Sequence, residues 1–352
     1  MDDLTGLRLA AIAAAKAQPE QTFENPRVGA VIVKADQVLA VGWHERFGGA
    51  HAEMNAFHHL GAARDAQGAT LYVTLEPCAV RGKVAACAET IRDWGLARVV
   101  IGDLDPNPAT HGLGVQKLRA AGISVVVLDT DDSRQLNPAF YQYHEQHQPY
   151  IQLKLAQSHN GYVSAVRGQR SKITDAVADL DVHRQRARHS AIIVGSETWR
   201  IDQPRLTVRD VVLTHQQPQR VVIDRRGRLA HEPAARLKDW LVYTENARFA
   251  QQENVVLMSA GLPGIIADLG RKGMQSVMVE GGPTLMRSFL QAQLWHECLI
   301  YTADSLLADG VSGIVLPQLP DDIQRIGHTQ RKRYINQEVA TCLQASRKPL
   351  VV

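Results

Sequence analysis

The chain has 352 residues, which is long enough for two domains of ordinary size, each with its own core. Its 45% hydrophobic and 21% charged residues are typical of globular proteins and exclude a disordered chain. The formal net charge of +3, without a basic run, argues against a nucleic-acid-binding protein. No apolar run reaches the roughly 18 residues of a membrane-spanning helix, so we expect no membrane span.

The amino-terminal segment MDDLTGLRLAAIAAAKAQ begins with acidic residues and has a helical pattern. A signal peptide would begin with basic residues and continue as an unbroken apolar stretch. We therefore predict the first helix of a cytoplasmic domain. Cys298 and Cys342 stand alone in apolar contexts, which favours buried small hydrophobic residues over metal ligands.

Strand and helix patterns alternate along the first half of the chain. The β-branched runs RVGAVIVK and QVLAVGWH predict a hairpin, and AEMNAFHHLGAA has helical spacing. Two strand–helix pairs and a last strand follow, namely ATLYVTLE with CAETIRDWG, ARVVIGDLD with GVQKLRAAG, and ISVVVL. Such alternation predicts a mostly parallel sheet with helices on both faces.

The alternation lapses in the polar segment DTDDSRQLNPAFYQYHEQHQP, so we predict domains at residues 1–146 and 147–352. A second α/β pattern then begins. Its predicted strands are YIQLKLAQS, SAIIVGS, RVVIDRRG, WLVYT, NVVLM, SVMVEGG and ECLIYTA, and its predicted helices are DAVADLDVHRQRARH, GIIADLGRKG and TLMRSFLQAQ.

The first half contains a group of residues suited to zinc chemistry. His51, Cys78 and Cys87 offer one nitrogen and two sulfurs, and catalytic zinc sites usually take three protein ligands and leave a place for water. Zinc lowers the pKa of a bound water to about 7, and a carboxylate such as Glu53 beside it can move the proton to a leaving amine. The patterns His51-Ala52-Glu53 and Pro77-Cys78 match the zinc base deaminases.

Eight residues separate the two cysteines, where the generic deaminase pattern has two. One alternative is a closed structural zinc site, which would need a fourth ligand such as His58 or His59. Those histidines lie about two turns beyond His51, and a polar helix face explains them more simply. We therefore favour the catalytic site.

Several motifs occur together in a characteristic order: NPRVGAVIV, HAE, TLEPC, the long cysteine spacing, DPNP, PYIQLKLA, SAIIVGSETW, DQPRLTVR and VEGGPTL. Over nearly its whole length the chain resembles the bifunctional riboflavin-biosynthesis deaminase/reductases. The resemblance implies a cytidine-deaminase-like three-layer α/β/α domain followed by a dihydrofolate-reductase-like α/β domain.

For the first domain, the resemblance implies hydrolytic deamination of 2,5-diamino-6-ribosylamino-4(3H)-pyrimidinone 5′-phosphate. Glu53 would be the proton shuttle, and His51, Cys78 and Cys87 would hold Zn²⁺. Asn25 either contacts the substrate or is only a turn residue before Pro26. The loop AVRGKVAAC lacks the family's usual residues between the cysteines, so Arg81 or Lys83 could replace them at the substrate.

In the second half, MVEGGPTLMRSF places two glycines between a strand and a helix, where backbone N–H groups can bind phosphate or form a mere tight turn. The resemblance favours a cofactor loop in a domain that uses NADPH to reduce the ribosyl group to ribityl. It implies substrate contacts from Arg186, Leu206, Arg209 and Glu280, and cofactor contacts from Ala156, Thr198, Asp202, Gly282, Pro283, Thr284 and Leu285. Lys154 could polarise the sugar of the substrate, since its position in a strand favours a cleft. Arginine suits a phosphate because its planar group donates two parallel hydrogen bonds. A surface position remains the alternative for Lys154.

Arg225 follows the strand RVVID, where it either binds the 2′-phosphate of NADPH or belongs to a charged hairpin. Three positions depart from the family pattern: Asn160 replaces an acid, Lys172 an aromatic residue and Gln203 an aspartate. An altered or weakened reductase therefore stays open.

Two other functions stay open as alternatives. One is a zinc deaminase of nucleosides or nucleic-acid bases with an accessory reductase-like domain, and the other is a non-catalytic zinc-binding scaffold. For the favoured function we expect a phosphorylated pyrimidine as the small-molecule partner, no nucleic acid and no membrane, a cytoplasmic location and a homo-oligomer.

Overall fold

The computed structural model describes residues 1–79, 86–169 and 171–339. The chain divides into two compact units, Met1–Gln146 and His147–Val352. The first unit contains α1 (Asp3–Ala15), α2 (Pro19–Thr22), β1 (Gly29–Lys34), β2 (Gln37–Trp43), α3 (Ala52–His58), β3 (Thr70–Leu75), α4 (Cys87–Asp93), β4 (Arg98–Asp103), α5 (Leu113–Ala120), β5 (Ser124–Val127), α6 (Asp132–Leu136) and α7 (Pro138–Gln146).

The sheet of the first unit has the order β2-β1-β3-β4-β5. The hairpin prediction is confirmed, because β1 pairs antiparallel with β2. β1 is also antiparallel to β3, whereas β3, β4 and β5 are parallel. This sheet is therefore mixed: β3 to β5 are parallel as predicted, whereas the antiparallel pairing of β1 with β3 was not predicted.

Helices cover both faces of this sheet, as the three-layer prediction required. Because side chains alternate along a strand, Ala30 and Ile32 of β1 join one buried cluster with residues of α3, α4 and α5. Val31 and Val33 join the other cluster, with residues of α1. Helix α3, which begins after His51 and contains Glu53, and helix α4, which begins at Cys87, thus pack on the same face of the sheet.

The polar segment before residue 147, where no strand or helix was predicted, forms α6 and α7. Asn137 joins them, since its side chain accepts from the backbone N–H of Arg27 and donates to the carbonyl oxygens of Arg27 and Ser133. Pro138 begins α7, where its missing N–H costs nothing. The sequence analysis missed these helices because side-chain contacts with a distant loop hold them in place and a strong apolar pattern is absent.

The second unit contains β6 (Tyr150–Gln157), β7 (Tyr162–Ser164), α8 (Ala176–Arg186), β8 (Ala191–Gly195), α9 (Ser196–Asp202), β9 (Gln219–Ile223), α10 (Ala234–Leu237), β10 (Trp240–Thr244), β11 (Val255–Leu257), α11 (Gly261–Arg271), β12 (Ser276–Val279), α12 (Pro283–Gln291), β13 (Glu297–Ala303), β14 (Val311–Ser312), β15 (Asp322–Ile326) and β16 (Thr329–Ile335). Its large sheet has the order β11-β10-β9-β8-β12-β6-β13-β16-β15, and β7 pairs with β14 separately.

The strands from β11 to β13 in this order are parallel, and β15 and β16 add an antiparallel hairpin at the edge. The sequence prediction missed this hairpin, although Gly327 stands between two runs of strand character. Cys298 is buried in the core, as predicted, whereas Cys342 lies outside the described residues. Among the described helices, none combines the length and the hydropathy that a bilayer span requires.

Candidate active sites

Three metal-binding side chains converge in the first unit. His51 directly precedes α3, Cys78 follows β3, and Cys87 is the first residue of α4. Nδ1 of His51 lies 3.2 Å from Sγ of Cys87 and 3.5 Å from Sγ of Cys78, and the three ligand atoms lie within 4.8 Å of one another. One imidazole and two thiols at this spacing fit zinc, which prefers nitrogen and sulfur ligands.

Hydrogen bonds among these side chains shift their pKa values. The pKa of Cys78 is lowered to about 4, chiefly because the Cys87 thiol donates to it and also because His51 does. The pKa of Cys87 is raised by that same hydrogen bond and by burial. The hydrogen bond to Cys78 raises the pKa of His51 to about 9. The site thus favours a thiolate at Cys78, and the thiolate is the form of cysteine that binds a metal.

Glu53 lies in the first turn of α3 and is only 3% exposed. Burial raises its pKa, while the charge of His51 opposes that shift. The Cys87 side chain is hydrogen-bonded to Glu53, which places the carboxyl group beside the three ligands without adding it to the cluster. A carboxyl group whose pKa is raised above its ordinary value binds a proton more readily, which suits a proton carrier.

Asn25 is held beside this cluster by His44, a residue that the sequence analysis missed. Nδ1 of His44 lies 2.9 Å from the carbonyl oxygen of Ala50, so it carries the proton, and Nε2 accepts from the Asn25 amide at 3.1 Å. Burial lowers the pKa of His44 and keeps the ring neutral. Its ring packs edge-on against His51 at 5.7 Å. A polar residue at the end of a predicted strand was the available signal.

The sequence analysis also named His58, His59 and two residues of the loop between the cysteines. His58 and His59 are exposed and outside the cluster, and Nδ1 of His59 lies 2.7 Å from the carbonyl oxygen of Val41. A polar helix face therefore explains them, as expected. Arg81 and Lys83 lie outside the described residues.

In the second unit, a cavity of about 1290 Å³ opens where β6, β8 and β12 end. Ligands bind at the carboxyl ends of the strands in open α/β sheets. The residues predicted for the substrate and the cofactor all line this cavity: Lys154, Ala156, Arg186, Thr198, Asp202, Leu206, Arg209, Arg225, Glu280, Gly282, Pro283, Thr284 and Leu285. The sequence analysis did not select His183, Arg205, Arg226 and Arg228, which also line it.

A buried charge cluster lies in the wall of this cavity. Glu280 accepts from Nε and Nη2 of Arg186 at 2.5 and 2.9 Å, and Nζ of Lys154 lies 3.6 Å away. Burial alone would raise the pKa of Glu280, but Arg186 and Lys154 overcome it and lower the pKa to about 2. Burial lowers the pKa of Lys154, and Glu280 counteracts this shift. Lys154 is therefore a cleft residue and not a surface one.

The remaining donors of the two predicted arginines differ in accessibility. Arg186 gives a third hydrogen bond to the carbonyl oxygen of Thr207 at 3.3 Å, which leaves two of its five N–H groups for a ligand. Arg209 is exposed, and its side chain donates to the Thr207 hydroxyl at 3.0 Å. Arg209 is thus the more available of the two for a phosphate.

Two residues of the same loop adopt left-handed backbone conformations that non-glycine residues rarely take. Gln203 has φ 44° and the buried Leu206 has φ 49°. Such conformations cost about 1–3 kcal/mol each and cluster at ligand sites. Both residues line the cavity, so the loop that carries the replacement at Gln203 forms part of its wall.

The other two departures from the family pattern have local partners. Asn160 donates to the carbonyl oxygen of Leu307 at 2.7 Å and accepts from its N–H at 3.2 Å, and it does not line the cavity. Lys172 lines the cavity and forms an exposed ion pair with Asp179.

Arg225, with its side chain 61% exposed, is 4.0 Å from Glu245, a weak pair that leaves the guanidinium accessible.

Comparisons with known proteins match both units. The model of the RibD C-terminal domain matches residues 149–323, and that of the cytidine and deoxycytidylate deaminase zinc-binding region matches residues 2–103. The riboflavin biosynthesis protein RibD of Aquifex aeolicus is 36% identical over 313 residues, with 86% of this chain and 87% of that protein covered. The Escherichia coli protein of the same name is 36% identical over 323 residues, with 85% and 87% covered. A solved structure of Acinetobacter baumannii RibD has a TM-score of 0.78 at 33% identity and covers 95% of this chain and 98% of its own.

Proposed function

The chain belongs to the RibD family of bifunctional riboflavin-biosynthesis enzymes, and from this premise we propose which residues perform each of its two reactions. It deaminates the diaminopyrimidine ribosylamine 5′-phosphate and reduces the ribosyl group to ribityl, using zinc and NADPH. Our proposal assigns deamination to residues 1–146 and reduction to residues 147–352.

For deamination, we assign His51, Cys78 and Cys87 as the zinc ligands and Glu53 as the proton carrier. Bound zinc would supply an activated water. The buried Glu53 carboxyl group takes up a proton from the attacking water and passes it to the departing amine, which its raised pKa favours. Asn25, oriented by its hydrogen bond to His44, would contact the pyrimidine. The observation that carries this assignment is the convergence of the three ligand atoms within 4.8 Å beside a buried carboxyl group.

For reduction, we assign Lys154, Arg186, Leu206, Arg209 and Glu280 to the substrate. Bound NADPH would supply the hydride. Glu280 stays ionised because its pKa is about 2, and it holds the charged groups of Lys154 and Arg186 in fixed positions at the cavity wall. The accessible Arg209 would bind the phosphate, and the two free N–H groups of Arg186 would bind substrate oxygen atoms.

For the cofactor, we assign the helix start at Gly282, Pro283, Thr284 and Leu285, together with Ala156, Thr198 and Asp202. Arg225 would bind the 2′-phosphate, and the neighbouring Arg226 and Arg228 add positive charge to the same cavity. We further propose a cytoplasmic homo-oligomer that does not bind nucleic acid.

The test is incubation of the purified chain with its substrate, first without NADPH and then with it. We expect ammonia release without NADPH and NADPH oxidation afterwards. Glu53→Gln should lower the deamination rate about 10²- to 10⁴-fold, because the proton transfer is lost, while zinc stays bound. Zinc content is measured by metal analysis, with Glu145→Gln, an acid paired with Arg134, as the matched control.

Three outcomes would contradict parts of this proposal. Unchanged deamination in Glu53→Gln would favour a zinc-binding scaffold with no catalytic role for that carboxylate. Strong salt-dependent retention on DNA or RNA would favour the nucleic-acid alternative. Complete deamination without later NADPH oxidation would refute the reductase assignment alone.

A further inference from the structure

The buried carboxylate of Glu76 has no role in the assignments above, yet it makes an unusual set of hydrogen bonds. Glu76 is 6% exposed and lies two residues before Cys78, separated from it only by Pro77. Its Oε2 accepts from the backbone N–H groups of Asp105 at 3.1 Å and Gly112 at 2.9 Å. Its Oε1 accepts from those of Gly114 at 2.8 Å and Val115 at 3.1 Å.

These hydrogen bonds replace a missing helix cap. Gly112 occupies the position before α5 and has no side chain with which to satisfy the first amides of the helix. A capping side chain normally binds the amides of the second and third helical residues, which here are Gly114 and Val115. Glu76 supplies that acceptor from another strand, and its negative charge also suits the positive end of the helix dipole.

The contact between Glu76 and α5 is backed by tight packing next to Cys78. A Cβ atom at Gly114 would lie 2.2 Å from the carbonyl oxygen of Pro77, so only glycine allows this approach. Beyond Cys78, Nζ of Lys117 in α5 donates to the carbonyl oxygen of Ala79 at 2.6 Å. The segment that carries Cys78 is therefore bound to α5 on both sides of the cysteine.

We propose that Glu76 is a positioning residue for the zinc site, which fixes Cys78 and the segment from Asp105 to Val115 relative to each other. This inference rests on the proposed assignment of His51, Cys78 and Cys87 as zinc ligands. Without the carboxylate, four buried or partly buried N–H groups lose their acceptor, and the first turn of α5 no longer restrains the Cys78 segment. The Cys78 sulfur then samples positions from which it binds the metal less well.

The first test compares Glu76→Gln with the wild-type chain. The amide keeps the size of the side chain but turns an NH₂ group towards N–H donors, so one pair of hydrogen bonds is lost. We expect zinc release to a chelator to become about 10- to 100-fold faster, the range found when groups that orient metal ligands are removed. The sulfur-to-metal absorption band of the cobalt-substituted protein should also shift. Glu145→Gln is the control, since its carboxylate pairs with the Arg134 side chain.

The second test needs no variant and covers the case in which Glu76→Gln fails to fold. Coupling between two sites is reciprocal, so zinc should in turn stabilise the Glu76 contacts. Stripping zinc from the wild-type chain should speed hydrogen exchange at the amides of Asp105, Gly112, Gly114 and Val115. Exchange of α8 amides in the other unit serves as the reference.

The outcomes separate this inference from the proposed function. A wild-type chain that binds no stoichiometric zinc would refute the ligand assignment itself. A wild-type chain that binds zinc, together with unchanged zinc release and cobalt spectrum in folded Glu76→Gln, would refute only the role of Glu76. Exchange at the four amides that does not respond to zinc would also refute it.

Discussion

At the scale of single residues, both candidate sites depend on ionisable groups removed from water. Glu53 and Glu280 are both carboxyl groups buried near cationic side chains, yet their pKa values shift in opposite directions. Burial dominates at Glu53 and leaves a group that exchanges protons. At Glu280, Arg186 and Lys154 outweigh burial and leave a permanent anion. In the proposed assignments, the same residue type therefore serves acid–base chemistry in one unit and positioning in the other.

Replacing Glu280 with glutamine should shift the pH profile of the reductase. The charge of Glu280 raises the pKa of Lys154 against the lowering effect of burial, so its removal lets that pKa fall. If reduction requires protonated Lys154, the alkaline limb of kcat/KM should move to lower pH by about 1 unit or more. The measurement is the pH profile with deaminated substrate and NADPH. Asp239→Asn, an exposed acid paired with Arg220, should leave the profile in place. An unmoved alkaline limb in Glu280→Gln would show that Lys154 does not set it.

Restoring the family's acid at position 160 should destabilise this chain. An aspartate cannot donate to the carbonyl oxygen of Leu307, and its charge would face that oxygen atom. We expect Asn160→Asp to lower the free energy of unfolding by about 0.5–1.5 kcal/mol, measured by urea denaturation, with an unchanged KM for NADPH. A stabilised variant would contradict this account of the Leu307 contact. A more active reductase would show that Asn160 weakens the site.

At the scale of elements, the first site depends on how closely α3 approaches β2. A Cβ atom at Gly42 would lie 2.1 Å from the backbone nitrogen of Ala56 and 2.5 Å from the carbonyl oxygen of Ala52, both in α3. This close packing fixes the start of the helix, where His51 and Glu53 lie. The helix of seven residues is too short to be stable alone, so its position depends on tertiary packing.

Gly42→Ala should therefore push α3 away from the sheet. We expect a loss of about 1–3 kcal/mol in the free energy of unfolding, as for other overpacked core positions, together with weaker zinc binding. Urea denaturation and zinc titration measure the two effects. Gly61→Ala is the matched control, since its nearest atom beyond its chain neighbours, Oδ2 of Asp65, is 3.8 Å away. Wild-type zinc affinity in Gly42→Ala would show that the start of α3 tolerates displacement.

At the scale of the whole molecule, buried neutral histidines link the stability of the second unit to pH. Burial lowers the pKa of His296 from 6.5 to about 4, and Nδ1 accepts from the backbone N–H of Ile151 at 3.0 Å. Burial also lowers the pKa of His189 to about 3. Because the unfolded chain binds these protons more readily, this stability is present above pH 6.5 and declines as the pH falls towards about 4.

His296→Asn should make the loss of stability of the second unit at falling pH shallower, since asparagine keeps an acceptor for the Ile151 N–H but does not titrate. The measurement is hydrogen exchange of the β6 amides, corrected for the intrinsic rate, between pH 6.5 and about 4. His231→Asn, an exposed histidine of the same unit, should behave like the wild-type chain. Equal pH slopes in all three proteins would contradict a role for His296.

The sequence by itself determined many of the strands and helices and the identity of the chemical groups at the candidate sites. Strand and helix patterns predicted the parallel strands of the first unit, and the motif around His51, Glu53 and Cys78 predicted the cluster of metal-binding side chains, because ligand type and alternating burial are local properties. It did not predict α6 and α7, which contacts with a distant loop hold in place, and it overlooked the local signal for the β15–β16 hairpin at Gly327.

Only the tertiary structure decided which groups interact. The hydrogen bond from Asn25 to His44 and the four amide hydrogen bonds to Glu76 join residues far apart in the sequence. The opposite pKa shifts of Glu53 and Glu280 likewise depend on residues that lie far from them in the sequence. Hydrogen bonds and pKa values depend on distances of a few ångström and on burial, and residue spacing along the chain fixes neither. The chemistry was therefore readable from residue types, whereas its tuning required the fold.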